Sequence, residues 1–290
     1  MRADGGTVWS YLAYTRPLSI PFTFVLVLTG YVLAPANAGW PACIPDLVFL
    51  VLVYSVLGWG GTNAFNSAED RDEGPVNLLP SPPPLPAHLG AFGIGWGLLA
   101  ILVTLAWPGR VRVLPFVVLA ALLSLAYSYR GGPFRRLKEI GIVDNVTNAL
   151  GCGPIAIGIG WGVAGPFDRH VVPIAAGFFF SFFGGYAATQ IFQLREDDTY
   201  ATARNYTSLL GAPLALRLSA LAFLAHLLVL LSIVRERALG SIACAAWVAL
   251  VLVAALHAGV WARMPRDTPK RRMLFQLLLL MASQVCFLCV

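Results

Sequence analysis

The 290-residue chain is 58% apolar and 12% charged, with a mean hydropathy of +0.74, which excludes an ordinary soluble domain. Its 20 bases and 14 acids are confined to short stretches between apolar runs, so the net +6 reports membrane orientation rather than nucleic-acid binding. The five cysteines, Cys43, Cys152, Cys244, Cys286 and Cys289, fall mostly in apolar segments without CxxC spacing, which argues for buried thiols and against a metal or disulfide framework.

A bilayer core takes roughly 20 apolar residues per helix. On that measure the sequence predicts nine spans, near Pro17–Leu33, Asp46–Asn66, His88–Trp107, Val111–Tyr127, Gly141–Val163, Val171–Leu194, Leu209–Val234, Ser241–Ala262 and Met273–Val290. The first carries no small-residue cleavage pattern and is expected to remain as a span. Gly58, Gly60, Gly61, Gly158, Gly160, Gly184 and Gly185 are small enough to let helices approach closely. With nine crossings, fourteen bases fall on the N-terminal side and five on the other, which puts the N-terminal side in the cytoplasm.

The second span runs straight into GTNAFNSAEDRDEG, Gly61–Gly74, where Asn63, Asn66, Glu69, Asp70, Asp72 and Glu73 lie within eleven residues. Carboxylates at a membrane boundary are costly to bury and easy to solvate. The cluster is therefore either a loop returning to water or a divalent-cation site, since Mg²⁺ takes oxygen ligands from carboxylates and substrate phosphates. Pro75–Pro86 cannot continue a helix and is expected to run extended, as a linker or as a cap over the charged mouth. The loop Tyr127–Lys138 holds Arg130, Arg135, Arg136 and Lys138, a set suited either to anionic lipid heads or to gripping a phosphate. In the fifth span Asp144, Asn145 and Asn148 share a helical face, as do Tyr186, Gln190 and Gln193 in the sixth. Such faces line a wet cavity or bond helix to helix. His226 and His257 have no ligand-like neighbours and read as packed polar residues.

Thr189–Asp197, TQIFQLRED, repeats Thr62–Asp70, TNAFNSAED, at an offset of 127 residues with six like-for-like positions in nine. Both copies end an apolar run and exit on the same predicted cytoplasmic side. Two carboxylate clusters built alike suggest two halves facing one another, roughly 8–130 and 135–262, within a single domain 1–290 that ends in a final helix at 273–290.

These residues resemble the UbiA-type membrane prenyltransferase superfamily over nearly the whole chain. Asn66 and Asp70, followed by Arg71, Asp72 and Glu73, match its first signature, although Ser67 and Gly74 stand where acids are usual. Arg195–Asp198, with Ala203-Arg204 and Gly211 downstream, resembles its second signature, with Leu194 in place of the first Asp. Tyr127-Ser128 with Arg135, Arg136 and Lys138 resembles its basic loop, and Thr15-Arg16-Pro17 its opening. The internal repeat favours Asp197 and the spacing to Gly211 favours Asp198, so both are carried.

The resemblance implies an all-α bundle of nine transmembrane helices around a central cavity, entered from the bilayer by an isoprenoid tail. It implies Mg²⁺ held by Asn66, Asp70, Asp197 and Asp198, and a diphosphate bound by Arg71, Arg135, Arg136, Lys138 and Arg204. Asn66, Asp70, Asp198 and Lys138 would carry the catalysis, with Asn63, Tyr127, Asp144, Asn145, Asn148, Tyr186, Gln190 and Gln193 lining the cavity. The expected reaction is transfer of a prenyl group from a prenyl diphosphate, through an allylic carbocation, to an aromatic, quinone-precursor or other lipid acceptor. The missing acids keep a terpene cyclase of the same superfamily as the near alternative. A transporter or non-catalytic scaffold is the remote one, because the charges gather at one membrane face and not at the midplane.

Overall fold

A backbone that crosses a bilayer must satisfy its own N–H and C=O groups, so apolar runs of this length fold as helices. The structure is a computed structural model, and it describes residues 7–35, 43–72, 74, 76, 79, 81–131, 135–196, 205–234, 242–264 and 269–288. Among the described residues nine helices are long and apolar enough to cross a membrane. They are α1 (Val8–Leu33), α2 (Ile44–Asp70), α3 (Leu89–Ala106), α4 (Val111–Ser128) and α5 (Gly141–Ala164), then α6 (Val171–Glu196), α7 (Ala212–Val234), α8 (Ile242–Trp261) and α9 (Pro269–Leu288). Each predicted span has its helix.

The largest departure is at the start. Sequence reading opens the first span at Pro17, whereas the chain is already helical over Val8–Tyr14. Arg16 then takes a left-handed conformation (φ 54°) and Pro17 restarts the helix, so a kink looked like a beginning. Few non-glycine residues adopt positive φ, and the surroundings hold this one. The Tyr14 hydroxyl donates to the carbonyls of Asp72 (3.1 Å) and Pro83 (2.7 Å), and Asn63 Nδ2 donates to the Thr15 carbonyl (3.3 Å). Tyr14, Ala64 and Leu89 form a small core on which Leu79 and Leu85 of the proline-rich stretch pack.

Two helices carry wide, π-type turns: α2 over Val51–Trp59 and α5 over Gly151–Ile155, the latter around Pro154, which has no N–H to give. Such turns rephase the residues that follow and recur at functional sites. In α2 the residues that follow are the polar cluster, Gly60–Asp70.

The chain divides into two compact units, Met1–Arg136 with Gly158–Pro166, and Leu137–Ile157 with Phe167–Val290. In the first, α2 and α3 cross at Gly61 and Gly93: a Cβ on Gly61 would lie 2.8 Å from the Gly93 carbonyl. Only glycine permits that approach. In the second, His226 is enclosed by Phe178 and Trp247 and bonds the Gly177 carbonyl through Nδ1 at 2.9 Å, a packed residue as its sequence context suggested. α5 is the most enclosed span, 72% buried, and α4 the least, at 17%.

At the far end of α2 from the acids, Asp46 accepts from Arg110 and from the Tyr31 hydroxyl, and Arg110 also donates to the Val163 carbonyl at 2.8 Å. One ion pair thus ties the ends of α1, α2 and α5 to the α3–α4 connection. Breaking a buried pair leaves a stranded charge and costs about 3–5 kcal/mol. Arg110→Met is expected to cost about 3 kcal/mol, the lower end of that range, because the Arg110 side chain keeps 19% of its surface exposed. Thermal unfolding in detergent is the measurement, and Asp46→Leu/Arg110→Met should recover most of the loss.

Candidate active site

The helix that carries the first acids ends sharply because of its own last residues. Arg71 turns left-handed (φ 57°) and its N–H bonds the Ala68 carbonyl, while the Asp72 N–H reaches back to Ser67 at 3.1 Å. This is a Schellman closure without its usual glycine. Asp70 is thereby the last helical residue, one turn beyond Asn66 on the same face.

Around that end the first unit brings together Asn66, Asp70 and Arg136 of its predicted site, while Asn63 bonds the Thr15 carbonyl instead. Asn66 Oδ1 accepts from Ser128 Oγ at 2.9 Å, at the end of α4. Asp70 Oδ1 accepts from Arg136 Nη1 at 2.8 Å and lies 3.8 Å from Arg130 Nη2. The Arg130 amide donates to Glu69 Oε2 at 2.8 Å. Asp72 turns away to Arg16 (3.6 Å), whose guanidinium also donates to Ser67 Oγ at 3.0 Å. Arg136 is buried, Tyr127 half-buried, and Arg71 and Arg135 exposed. The arrangement is a carboxylate and an amide oxygen beside cationic side chains. Hydrogen bonds between ionised partners are about twice as strong as neutral ones.

An apolar groove runs between α2, α3 and α4 of the same unit, lined by Tyr54, Thr62, Phe65, Ile101, Ala121 and Ser124 among others. Phe65 adjoins Asn66 in sequence, and Ser124 lies one turn before Ser128.

The second unit holds the polar faces of α5 and α6, and they bond to each other. Asp144, 1% exposed, accepts from Gln190 Nε2 and, at 3.5 Å, from the Tyr186 hydroxyl. Asn148 Nδ2 donates to the Asp144 carbonyl at 3.0 Å, and Asn145 Nδ2 to the Phe183 carbonyl at 2.9 Å. Among the described residues, Asn145 Oδ1 and the Tyr206 hydroxyl are buried and meet no hydrogen-bond partner. Burial pushes the Tyr206 phenol up to about 12, so it stays protonated. Lys138 is half-buried in the turn Leu137–Glu139 before α5. Asp197, Asp198 and Arg204 lie outside the described residues, as does the side chain of Gln193.

Sequence reading missed two contributors. Arg16 ties the end of α2 from 51 residues away in sequence; an arginine before a proline at a predicted membrane edge was its available signal. Thr207 donates to Gln190 Oε1 at 2.9 Å, and nothing in its local sequence marks it. Among the described residues no group of three or more His, Cys, Asp or Glu is placed to hold a metal ion. Asn66 and Asp70 nonetheless fit Mg²⁺ in kind, as hard oxygen donors one turn apart.

The sequence matches the UbiA prenyltransferase family over residues 22–280. Among curated proteins none is similar enough in sequence to count as a relative. A UbiA homologue from Archaeoglobus fulgidus solved with GPP and Mg²⁺ has the same fold, with TM-score 0.68 at 18% identity, covering 97% of this chain and 100% of that one. Its complex with DMAPP and Mg²⁺ gives 0.66 at 17% identity, over 96% and 98%. A structure of digeranylgeranylglyceryl phosphate synthase gives 0.67 at 15% identity over 97% of each chain. At such identities the likeness shows the fold alone.

Proposed function

The chain belongs to the UbiA prenyltransferase family and is an integral multi-pass membrane enzyme, and from that premise we propose that it moves a prenyl group from a prenyl diphosphate to an aromatic or lipid acceptor. The active-site mouth would open on the cytoplasmic face, where the positive-inside count puts the bases. The observation that carries this reading is the pairing of Asp70 with Arg136 and Arg130 beside Asn66. It joins oxygen donors for a cation to guanidinium donors for a phosphate at one helix end. The homologue structures hold prenyl diphosphates with Mg²⁺, in keeping with that donor set.

Asn66, Asp70, Asp197 and Asp198 are the residues that would hold Mg²⁺, which when bound supplies Lewis-acid stabilisation of charge developing on the diphosphate. Arg136 and Arg130 rest on Asp70 until a diphosphate offers them more oxygens, and Arg135, Lys138 and Arg204 add cationic donors. As the allylic C–O bond breaks, its electron pair leaves with the diphosphate, and these fixed donors stabilise the new charge. The apolar groove beside Phe65 suits an isoprenoid tail and keeps water from the allylic cation. The acceptor's electron pair then forms the new C–C or C–O bond and the acceptor loses a proton.

Membranes containing the protein, incubated with prenyl diphosphates of several lengths with and without candidate acceptors, test this. Prenylated acceptor is expected only with Mg²⁺ present, and EDTA should stop it. A terpene formed from diphosphate alone would instead establish the cyclase that the departures at Gly74 and Leu194 keep in view. Diphosphate left intact under every condition overturns both.

A further inference from the structure

We propose that Arg16 is a positioning residue: it grips the end of α2 through Ser67 and Asp72 and so sets the angle at which Asn66 and Asp70 are presented. The assignment rests on those two residues serving the metal as above. Their helix cannot set that angle alone. Over Val51–Trp59 the turns of α2 are wide, and such turns shift the phase of everything downstream. The packing of Ile44–Leu50 therefore does not dictate which way Gly60–Asp70 faces. Contacts at the end must.

In an α-helix each residue turns about 100° from the one before. Measured from Asn66, Asp70 stands about 40° on, Asn63 about 60° and Ser67 about 100°, with Glu69 about 60° the other way. α1 holds the first edge: Asn63 Nδ2 donates to the Thr15 carbonyl at 3.3 Å, and Arg16 Nη2 to Ser67 Oγ at 3.0 Å. The Arg130 amide holds the opposite edge by donating to Glu69 Oε2 at 2.8 Å. Asn66 and Asp70 lie between the two grips.

Arg16 also reaches past the helix. Arg71 turns left-handed, and Asp72 comes back beside α1. There its Oδ2 lies 3.6 Å from the same Arg16 Nη2, and its carbonyl accepts from the Tyr14 hydroxyl at 3.1 Å. One guanidinium thus spans Ser67 to Asp72, the stretch that contains Asp70. Ser67 is fully buried, and the Arg16 and Asp72 side chains keep 12% and 8% of their surface exposed. A permanently charged fork with several donors holds two acceptors in fixed relation, which the compact ammonium of lysine does less well.

Mg²⁺ affinity, read by calorimetry on the full-length protein in detergent without diphosphate, tests this role. Removing a nearby cation tightens Mg²⁺ by charge alone, so a loss of affinity reports geometry. Groups that orient metal ligands typically contribute about 10–100-fold in metal affinity. Arg16→Met is expected to weaken Mg²⁺ binding roughly tenfold and the uncharged Ser67→Ala about threefold, with Arg16→Lys between Arg16→Met and wild type. Amide hydrogen exchange over 66–72 should quicken in both Arg16→Met and Ser67→Ala while the rest of α2 keeps its protection. Ser67→Ala removes one small hydroxyl and decides the matter if Arg16→Met does not fold. Affinity unchanged or tighter in both variants overturns the positioning role. So does a rise in KM for prenyl diphosphate or acceptor alone, which puts Arg16 against substrate instead. Asp70→Asn, measured alongside, tells two failures apart. If it weakens Mg²⁺ binding and the Arg16 and Ser67 variants do not, only this inference falls. If it does not weaken it either, the metal assignment to this helix end falls as well.

Discussion

Asp70→Asn is expected to lower turnover about 10³-fold, equivalent to roughly 4 kcal/mol of transition-state stabilisation, in a protein that still inserts and stays folded. The substitution keeps the shape of the side chain, and its remaining Oδ1 can still accept from Arg136 Nη1, which lies 2.8 Å away. What it removes is a negative charge at the end of α2 that neither described acidic neighbour replaces. Glu69 is engaged by the Arg130 amide, and Asp72 faces Arg16. Product formation across a Mg²⁺ titration, with membrane content quantified, is the measurement. Near-normal turnover at ordinary Mg²⁺ would remove Asp70 from the metal set. Activity recovered only at high Mg²⁺ would support its assignment as a ligand.

Much of this architecture is written in the sequence because the bilayer leaves the backbone few choices. Each apolar run near the required length becomes a helix, so the nine spans appear near their predicted bounds. The exception, Val8–Tyr14, lies before Arg16-Pro17, a pair that locally signals a stop. Contacts from distant residues, Asp72 and Pro83 to Tyr14 and Asn63 to Thr15, hold the chain where that stop becomes a kink. The shared face of Asn66 and Asp70 is likewise legible, since a four-residue step on a helix guarantees it.

Which base meets Asp70 is not legible. Arg135 and Arg136 are adjacent, yet the first is exposed and the second buried against the carboxylate. That choice depends on how the loop after α4 returns to the end of α2, and no local propensity encodes it. The polar faces of α5 and α6 show the same limit. Periodicity identified Asp144, Asn148, Tyr186 and Gln190 as facing inward, but two alternatives, a wet cavity and helix-to-helix bonding, shared that signature. The hydrogen bonds from Gln190 and Tyr186 to Asp144 are of the second kind, whereas Asn148 bonds back within its own helix.

Arg136→Ala is expected to move two affinities in opposite directions. In the ligand-free protein Arg136 neutralises Asp70 and competes with any cation for Oδ1. Removing it should tighten Mg²⁺ binding in the absence of diphosphate by several-fold. The same change deletes a buried guanidinium whose hydrogen bonds to a charged group are worth about 1.5–3 kcal/mol, so diphosphate affinity and kcat/KM should fall about 10–100-fold. Arg136→Lys keeps the charge but not the two-pronged geometry and should fall between wild type and Ala. Arg130 also approaches Asp70, at 3.8 Å, but its side chain is 49% exposed. Screening by water and salt should hold Arg130→Ala to less than about tenfold. Calorimetry on detergent-purified protein, with Mg²⁺ alone and then with a prenyl diphosphate, reads both affinities. A mere structural brace would weaken both together. Opposite signs require that Arg136 occupy the cation's place at rest and the phosphate's side during turnover.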